Sequence, residues 1–119
     1  MQPDITARTY EEMRIKKRFD VKLKAVGKFV GYEKNKYQFT ISDLSASGAR
    51  LYFEATQDVK IGMSLALMIF IPNTILTISN TAEIMGVTRK GNVVSVGVKF
   101  QETLSEIMMN SLTGATATV

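Results

Sequence analysis

Two clusters of residues in this chain of 119 have the types and the spacing to do chemistry. The first is Arg14-Ile-Lys-Lys-Arg18, a pair of arginines with Lys16 and Lys17 between them. Arginine carries a planar, permanently charged fork of donors that grips a phosphate, reads the O6 and N7 edge of guanine, and stacks on a base. Lysine does not fill all three roles. The second cluster is Asp43-Leu-Ser45-Ala-Ser-Gly48. Its carboxylate can accept the N1 and N2 protons of guanine, its serine hydroxyl can bond a base edge or a phosphate, and glycine permits close backbone approach. Each cluster alone has a plainer reading, a solvated basic linker for the first and a turn with a strain-relieving glycine for the second. Arg8, Lys17, Arg50 and Lys99 are further possible phosphate contacts near these motifs, with solvated surface as the plainer reading.

The rest of the composition removes most other chemistries. The chain has no Cys and no His, so a disulfide framework, a thiol nucleophile, the commonest general base and the commonest metal ligand are all missing. Asp43 beside Ser45 has no base, orienting group or metal cluster to make a catalytic triad, so neither an enzyme nor a metal site is expected. The longest apolar run, Leu65 to Ile71, is far short of the ~20 residues of a membrane span. Residues 1–18 are polar and lack the apolar stretch of a signal peptide, which predicts a cytoplasmic protein. The net charge of +4 is uneven, with ten Lys and Arg against five Asp and Glu in residues 1–36 and a nearly neutral remainder. A basic block of this kind points to an anionic partner.

The elements that must position these residues are mostly strands. Thr9 and Glu12 suggest a capping box starting a short helix over Tyr10 to Lys16. From Phe19 to Phe29 the period is two, with Lys22, Lys24 and Lys28 on the opposite face from Val21, Leu23 and Ala25. A turn is expected over Glu33 to Lys36, then strands from Tyr37 to Ile41 and from Ala49 to Phe53. Met63 to Ile71, apolar on both faces, predicts a more buried strand, and Pro72-Asn73-Thr74 a turn. Ile75 to Thr88 reads as a long strand with an irregularity at Asn80, Arg89 to Asn92 as a hairpin turn, and Val94 to Phe100 as the sixth strand. Thr103 and Glu106 suggest a capping box for a final helix with Leu104, Ile107, Met108 and Leu112 on one stripe. The methionines, among them Met63, Met68, Met85, Met108 and Met109, are expected in the core. Tyr32, Tyr37 and Phe29 are expected to pack within strands rather than stack on bases.

The expected fold class is therefore mainly all-β, a six-stranded antiparallel β-barrel with a C-terminal α-helix and a flexible basic N-terminal segment. The expected divisions are a basic segment at 1–18, the barrel at 19–101, the helix at 102–113 and a tail at 114–119.

Taken together, Arg-x-x-x-Arg just before the first strand and Asp-x-Ser-x-x-Gly between the second and third strands resemble the PilZ domain family. Arg18 leads directly into the Phe-Asp-Val-Lys-Leu strand, Gly48-Ala49-Arg50-Leu51 continues the second motif, and Val96-Gly-Val-Lys-Phe100 looks like that family's closing strand. The resemblance implies a receptor for cyclic di-GMP, with no other cofactor and a downstream protein partner. Arginines matching Arg14 and Arg18 would hold guanine edges and phosphates, and residues matching Asp43, Ser45 and Gly48 would line the place of a second guanine. Met13 stands where members that take up a stacked ligand dimer often carry an extra arginine, which favours one ligand per protein. The alternatives are a PilZ-like barrel that has lost its ligand and serves as a protein interaction module, and a basic barrel that binds nucleic acid nonspecifically.

Overall fold

The computed structural model describes residues 17–114, and within them the chain closes on itself as a barrel. Six strands run in the order β1 (Phe19–Phe29), β2 (Tyr32–Leu44), β3 (Gly48–Glu54), β4 (Ser64–Phe70), β5 (Thr77–Lys90) and β6 (Val93–Phe100), followed by helix α1 (Glu106–Thr113). Around the barrel the order is β1-β2-β3-β6-β5-β4, every neighbouring pair is antiparallel, and β1 with β4 completes the ring. Closure gives each strand a neighbour on both sides, with β1 meeting β4 over Ala25 to Phe29 and running past it over Phe19 to Lys24.

Period-two alternation decides what lies inside. Leu23, Ala25, Phe39, Ile41, Leu51, Phe53, Leu65, Leu67, Ile69, Ile84, Val94, Val96 and Phe100 all point inward and are buried. Phe29, Tyr37, Phe39 and Phe53 form one aromatic cluster, with Phe39 and Phe53 ring centroids 4.8 Å apart and Phe29 edge-on to Tyr37 at 5.6 Å. Strand packing thus accounts for Phe29 and Tyr37, as expected, whereas Tyr32 is exposed.

Several local expectations are corrected. The β1–β2 turn is Val30-Gly31, not Glu33 to Lys36, because Gly31 takes φ of 90°, a conformation in which a side chain is strained. The polar residues that suggested a turn instead lie in a register shift, where Gly27–Phe29 faces the longer Tyr32–Tyr37 stretch. At the β5–β6 hairpin the turn narrows to Gly91-Asn92, and Arg89 belongs to β5, donating to the carbonyls of Ala55 at 2.7 Å and Gln57 at 2.5 Å. The irregularity in β5 falls between Ile84 and Gly86, while Asn80 pairs regularly with Leu67. Ile75 and Leu76 belong to the β4–β5 turn and are exposed.

Apolar character misled in two places. β4 is buried on one face only, leaving Met68 and Phe70 outside, and Met85 and Met108 are exposed as well. Of the methionines expected in the core, Met109 is buried and Met63 packs partly against it. The helix is capped by Ser105, whose Oγ accepts from the Met108 N–H at 3.1 Å, not by Thr103. Starting two residues later rotates the buried face, so Leu104, Met109 and Leu112 enter the core while Ile107 is 78% exposed. Gly114, at φ of 71°, ends the helix with its N–H donated to the Asn110 carbonyl.

The helix proposed over Tyr10 to Lys16 and the tail beyond Gly114 lie outside the described residues. Phe39→Ala, which empties the aromatic cluster, is expected to cost about 3–5 kcal/mol. Ile75→Ala, at an exposed turn, should stay within about 0.5 kcal/mol of the parent. Urea denaturation followed by circular dichroism measures both.

Candidate functional site

Strand β2 runs on through Asp43, so the carboxylate expected in a loop sits on the end of a strand. Its neighbours across the sheet are Asp20 on β1 and Arg50 on β3. Residues directly opposite in an antiparallel pair share a face, so Asp20, Asp43 and Arg50 form a row on the outside of the barrel. Two adjacent carboxylates repel, and a cation beside them relieves the repulsion. Arg18 supplies it, its Nε donating to Asp43 Oδ2 at 3.0 Å. The Arg18 side chain is 55% exposed and that of Asp43 29%, so water screens the pair and its contribution to stability is at most about 1 kcal/mol. The pair can therefore be broken at little cost.

The turn that follows is held rigidly. Ser45, 2% exposed, donates its N–H to the Gly48 carbonyl at 2.8 Å, and its Oγ accepts from the Gly48 N–H at 3.2 Å. The hydroxyl also lies 3.3 Å from the Gly48 carbonyl and 3.4 Å from Ser47 Oγ. Gly48 itself admits no side chain, because a Cβ built there would stand 2.3 Å from the Val98 carbonyl oxygen of β6. The carbonyls of Ser47 and Ala46 accept from the N–H groups of Phe100 and Leu104, each at 2.8 Å, which ties the turn to the end of β6 and the approach to α1. Ser45 and Gly48 thus fix the backbone that carries Asp43.

Beyond Arg50 the row continues onto Gly97 of β6 and Gly86 of β5. Arg50 lies across Gly97 and its Nη1 donates to Ser95 Oγ at 3.1 Å. A Cβ at Gly86 would meet nothing within 4 Å, and one at Gly97 would meet only the Arg50 guanidinium at 3.7 Å. Neither glycine is demanded by a neighbouring backbone, so both leave the outer wall bare beside a charged rim. The sequence carried a signal for Gly97, which occupies an outward position of β6 where its companions are Ser95 and Lys99. Gly86 is hidden by the register shift, and Asp20 by looking like one more polar strand residue.

The structure brings Arg18, Asp43, Ser45, Gly48 and Arg50 together at one end of β2 and β3. Lys99 is exposed on β6 opposite Gly48 and Glu83. Lys17 is turned onto the Phe19 ring, its Nζ 5.3 Å from the centroid. Arg8, Met13 and Arg14 lie outside the described residues. Among the described residues no group of three acidic side chains could hold a metal ion, and no helix is long and apolar enough to cross a membrane.

The geometry separates the motif into two kinds of residue. Arg18→Ala should change unfolding free energy by no more than about 1 kcal/mol, since the pair is screened. Gly48→Ala, which forces a methyl against a backbone carbonyl, should lose about 1–3 kcal/mol in chemical denaturation.

The family model described as PilZ domain matches residues 11–117. Among solved structures the chain is similar to the Bacillus subtilis inhibitor of motility, MotI/DgrA, with a TM-score of 0.64 at 15% identity. The match covers 85% of this chain and 48% of that one, so this chain spans about half its length. It is also similar to the PilZ domain of Escherichia coli YcgR, solved with c-di-GMP, with a TM-score of 0.59 at 16% identity over 81% of this chain and 82% of that one. A search of curated proteins found no match. With a family model covering the barrel, both motifs and the closing helix, the chain belongs to the PilZ domain family.

Proposed function

We propose that this protein is a cyclic di-GMP receptor that passes ligand binding on to a partner protein, working in the cytoplasm and carrying no catalytic activity of its own. The observation that carries the reading is the screened Arg18–Asp43 pair, set beside a rigid Ser45–Gly48 turn on the outer wall. Membership of the PilZ domain family and the c-di-GMP complex of the YcgR domain support the choice of ligand.

The proposed exchange follows from charge. The ligand is a dianion carrying two guanines. Arg18 leaves Asp43 for a phosphate or a guanine O6/N7 edge, and the freed carboxylate accepts the N1 and N2 protons of a guanine. One charge-assisted contact is replaced by two. Arg14 closes over the ligand from the preceding segment, drawing residues 8–18 against the barrel and changing the surface offered to a partner. Ser45 and Gly48 hold the rim on which the guanine rests, and Arg50, Lys99, Lys17 and Arg8 lend positive potential around it. The bare wall at Gly97 and Gly86 gives a flat base room to lie. With Met13 before the arginine motif, one ligand binds per protein.

Isothermal titration with cyclic di-GMP at two salt concentrations, with GTP as control, tests this reading. Saturable binding with one ligand per chain is expected. Asp43→Ala should weaken it by about 1–3 kcal/mol and Arg18→Ala by at least as much, with the thermal transition preserved. Absence of heat and of any thermal stabilisation would leave the protein an interaction module without this ligand.

A further inference from the structure

A second charged surface lies next to the Asp43 row, on the outward face of the barrel around β1. Lys22, Lys24 and Lys28 alternate with buried residues along β1, and Lys36 of β2 lines the same grooves. At about 6.8 Å for every two residues, Lys22 to Lys28 spans roughly 20 Å of positive surface. The cross-strand neighbours of Lys24 and Lys28 are uncharged: Thr40 faces Lys24, and Ala66 faces Lys28. Among the described residues, Arg18–Asp43 is the ion pair present, and none of these lysines has one.

The same face is apolar between its charges. Met68 and Phe70 of β4 are 43% and 42% exposed, and Tyr52 and Val93 contribute further exposed apolar area. A groove of about 950 Å³, enough for several side chains, runs among Lys22, Lys24, Lys36, Tyr52, Phe70 and Val93. A second groove shares Val26 and Lys36 with it and continues past Lys28 and Met68. Fold stability does not call for unpaired lysines ringing exposed apolar side chains, and such a patch is what an interface core with a charged rim presents.

The geometry points to this face as the docking site for an acidic segment of a partner protein, one that alternates carboxylates with aliphatic or aromatic side chains. Charge complementarity selects the sign: carboxylates meet the lysines while apolar side chains enter the grooves. The recessed shape favours a protein segment over a flat lipid surface. The cations are all lysines, without the arginine forks that suit phosphate, and Glu54 lines the main groove, which disfavours a polyphosphate backbone. The surface adjoins the proposed ligand site but shares no residue assigned to the ligand, so the inference does not rest on cyclic di-GMP binding.

The test uses the full chain and a fluorescein-labelled amphipathic peptide of Glu and Leu, with a Lys and Leu counterpart as control, read by anisotropy. Saturable binding of the acidic peptide is expected. Lys22→Glu/Lys24→Glu/Lys36→Glu should weaken it roughly tenfold or more, while Lys60→Glu, outside both grooves, leaves it unchanged. A matching Lys→Gln triple variant, checked by its thermal transition, carries the test if the charge reversal unfolds the barrel. Unchanged affinity in the folded triple variant overturns the proposal. So does equal binding of the cationic peptide, or preferential binding of single-stranded DNA or of phosphatidylserine vesicles.

Discussion

Only a residue without a side chain fits at position 48, and much of the molecule follows from that contact. There β3 begins against β6 so closely that a Cβ would lie 2.3 Å from the Val98 carbonyl oxygen. The approach joins the first three strands to the last three, since β3 and β6 are the neighbours that link β1-β2-β3 to β6-β5-β4 on that side of the ring. It also sets the turn. With Gly48 pinned, Ser45 satisfies the Gly48 N–H with its hydroxyl and the Gly48 carbonyl with its own N–H, so a buried polar group is fully partnered inside an apolar barrel. The neighbouring carbonyls of Ala46 and Ser47 then guide the chain out of β6 toward α1.

That rigid frame gives the candidate site its character. Asp43 stands two residues before the pinned turn and is held by strand pairing on both sides, with Asp20 and Arg50 as neighbours. Its charge partner Arg18 precedes β1 and is largely in water. A fixed acceptor facing a loosely held, exchangeable donor is the arrangement a ligand can use. Fixing the acceptor lowers the ordering cost of binding, and the weak internal pair lowers the cost of displacing it. Along the same row the unfilled positions at Gly86 and Gly97 keep the outer wall open.

Much of this was legible in the chain itself, for physical reasons that also mark where legibility ended. Alternation along Phe19–Phe29 and Val93–Phe100 is dictated by one buried face, and the strands appeared where the pattern put them. The pairing of the arginine motif with the Asp-x-Ser-x-x-Gly motif pointed to one site, and the fold brings Arg18 to Asp43. Turn positions were harder. The polar run Glu33 to Lys36 imitates a turn, but the chain reverses at Val30-Gly31, where glycine meets the positive φ at least cost. Thr103 and Ser105 both offer a cap, and only packing decides that Met109, rather than Ile107 and Met108, goes inward. Met68 and Phe70 look like core because they are apolar, yet a strand can bury only one face. The bare positions at Gly86 and Gly97 depend on register across strands distant in sequence, which alternation within one strand does not reveal.

The measurement that bears most directly on the account is a backbone amide NMR titration of the full chain with cyclic di-GMP. Saturable shifts are expected at Arg18, Asp20, Asp43, Ser45 to Arg50 and Gly97, with the far aromatic cluster around Phe39 and Phe53 undisturbed. Saturation with shifts confined to another face, or a spectrum that ligand leaves unaltered, would contradict it.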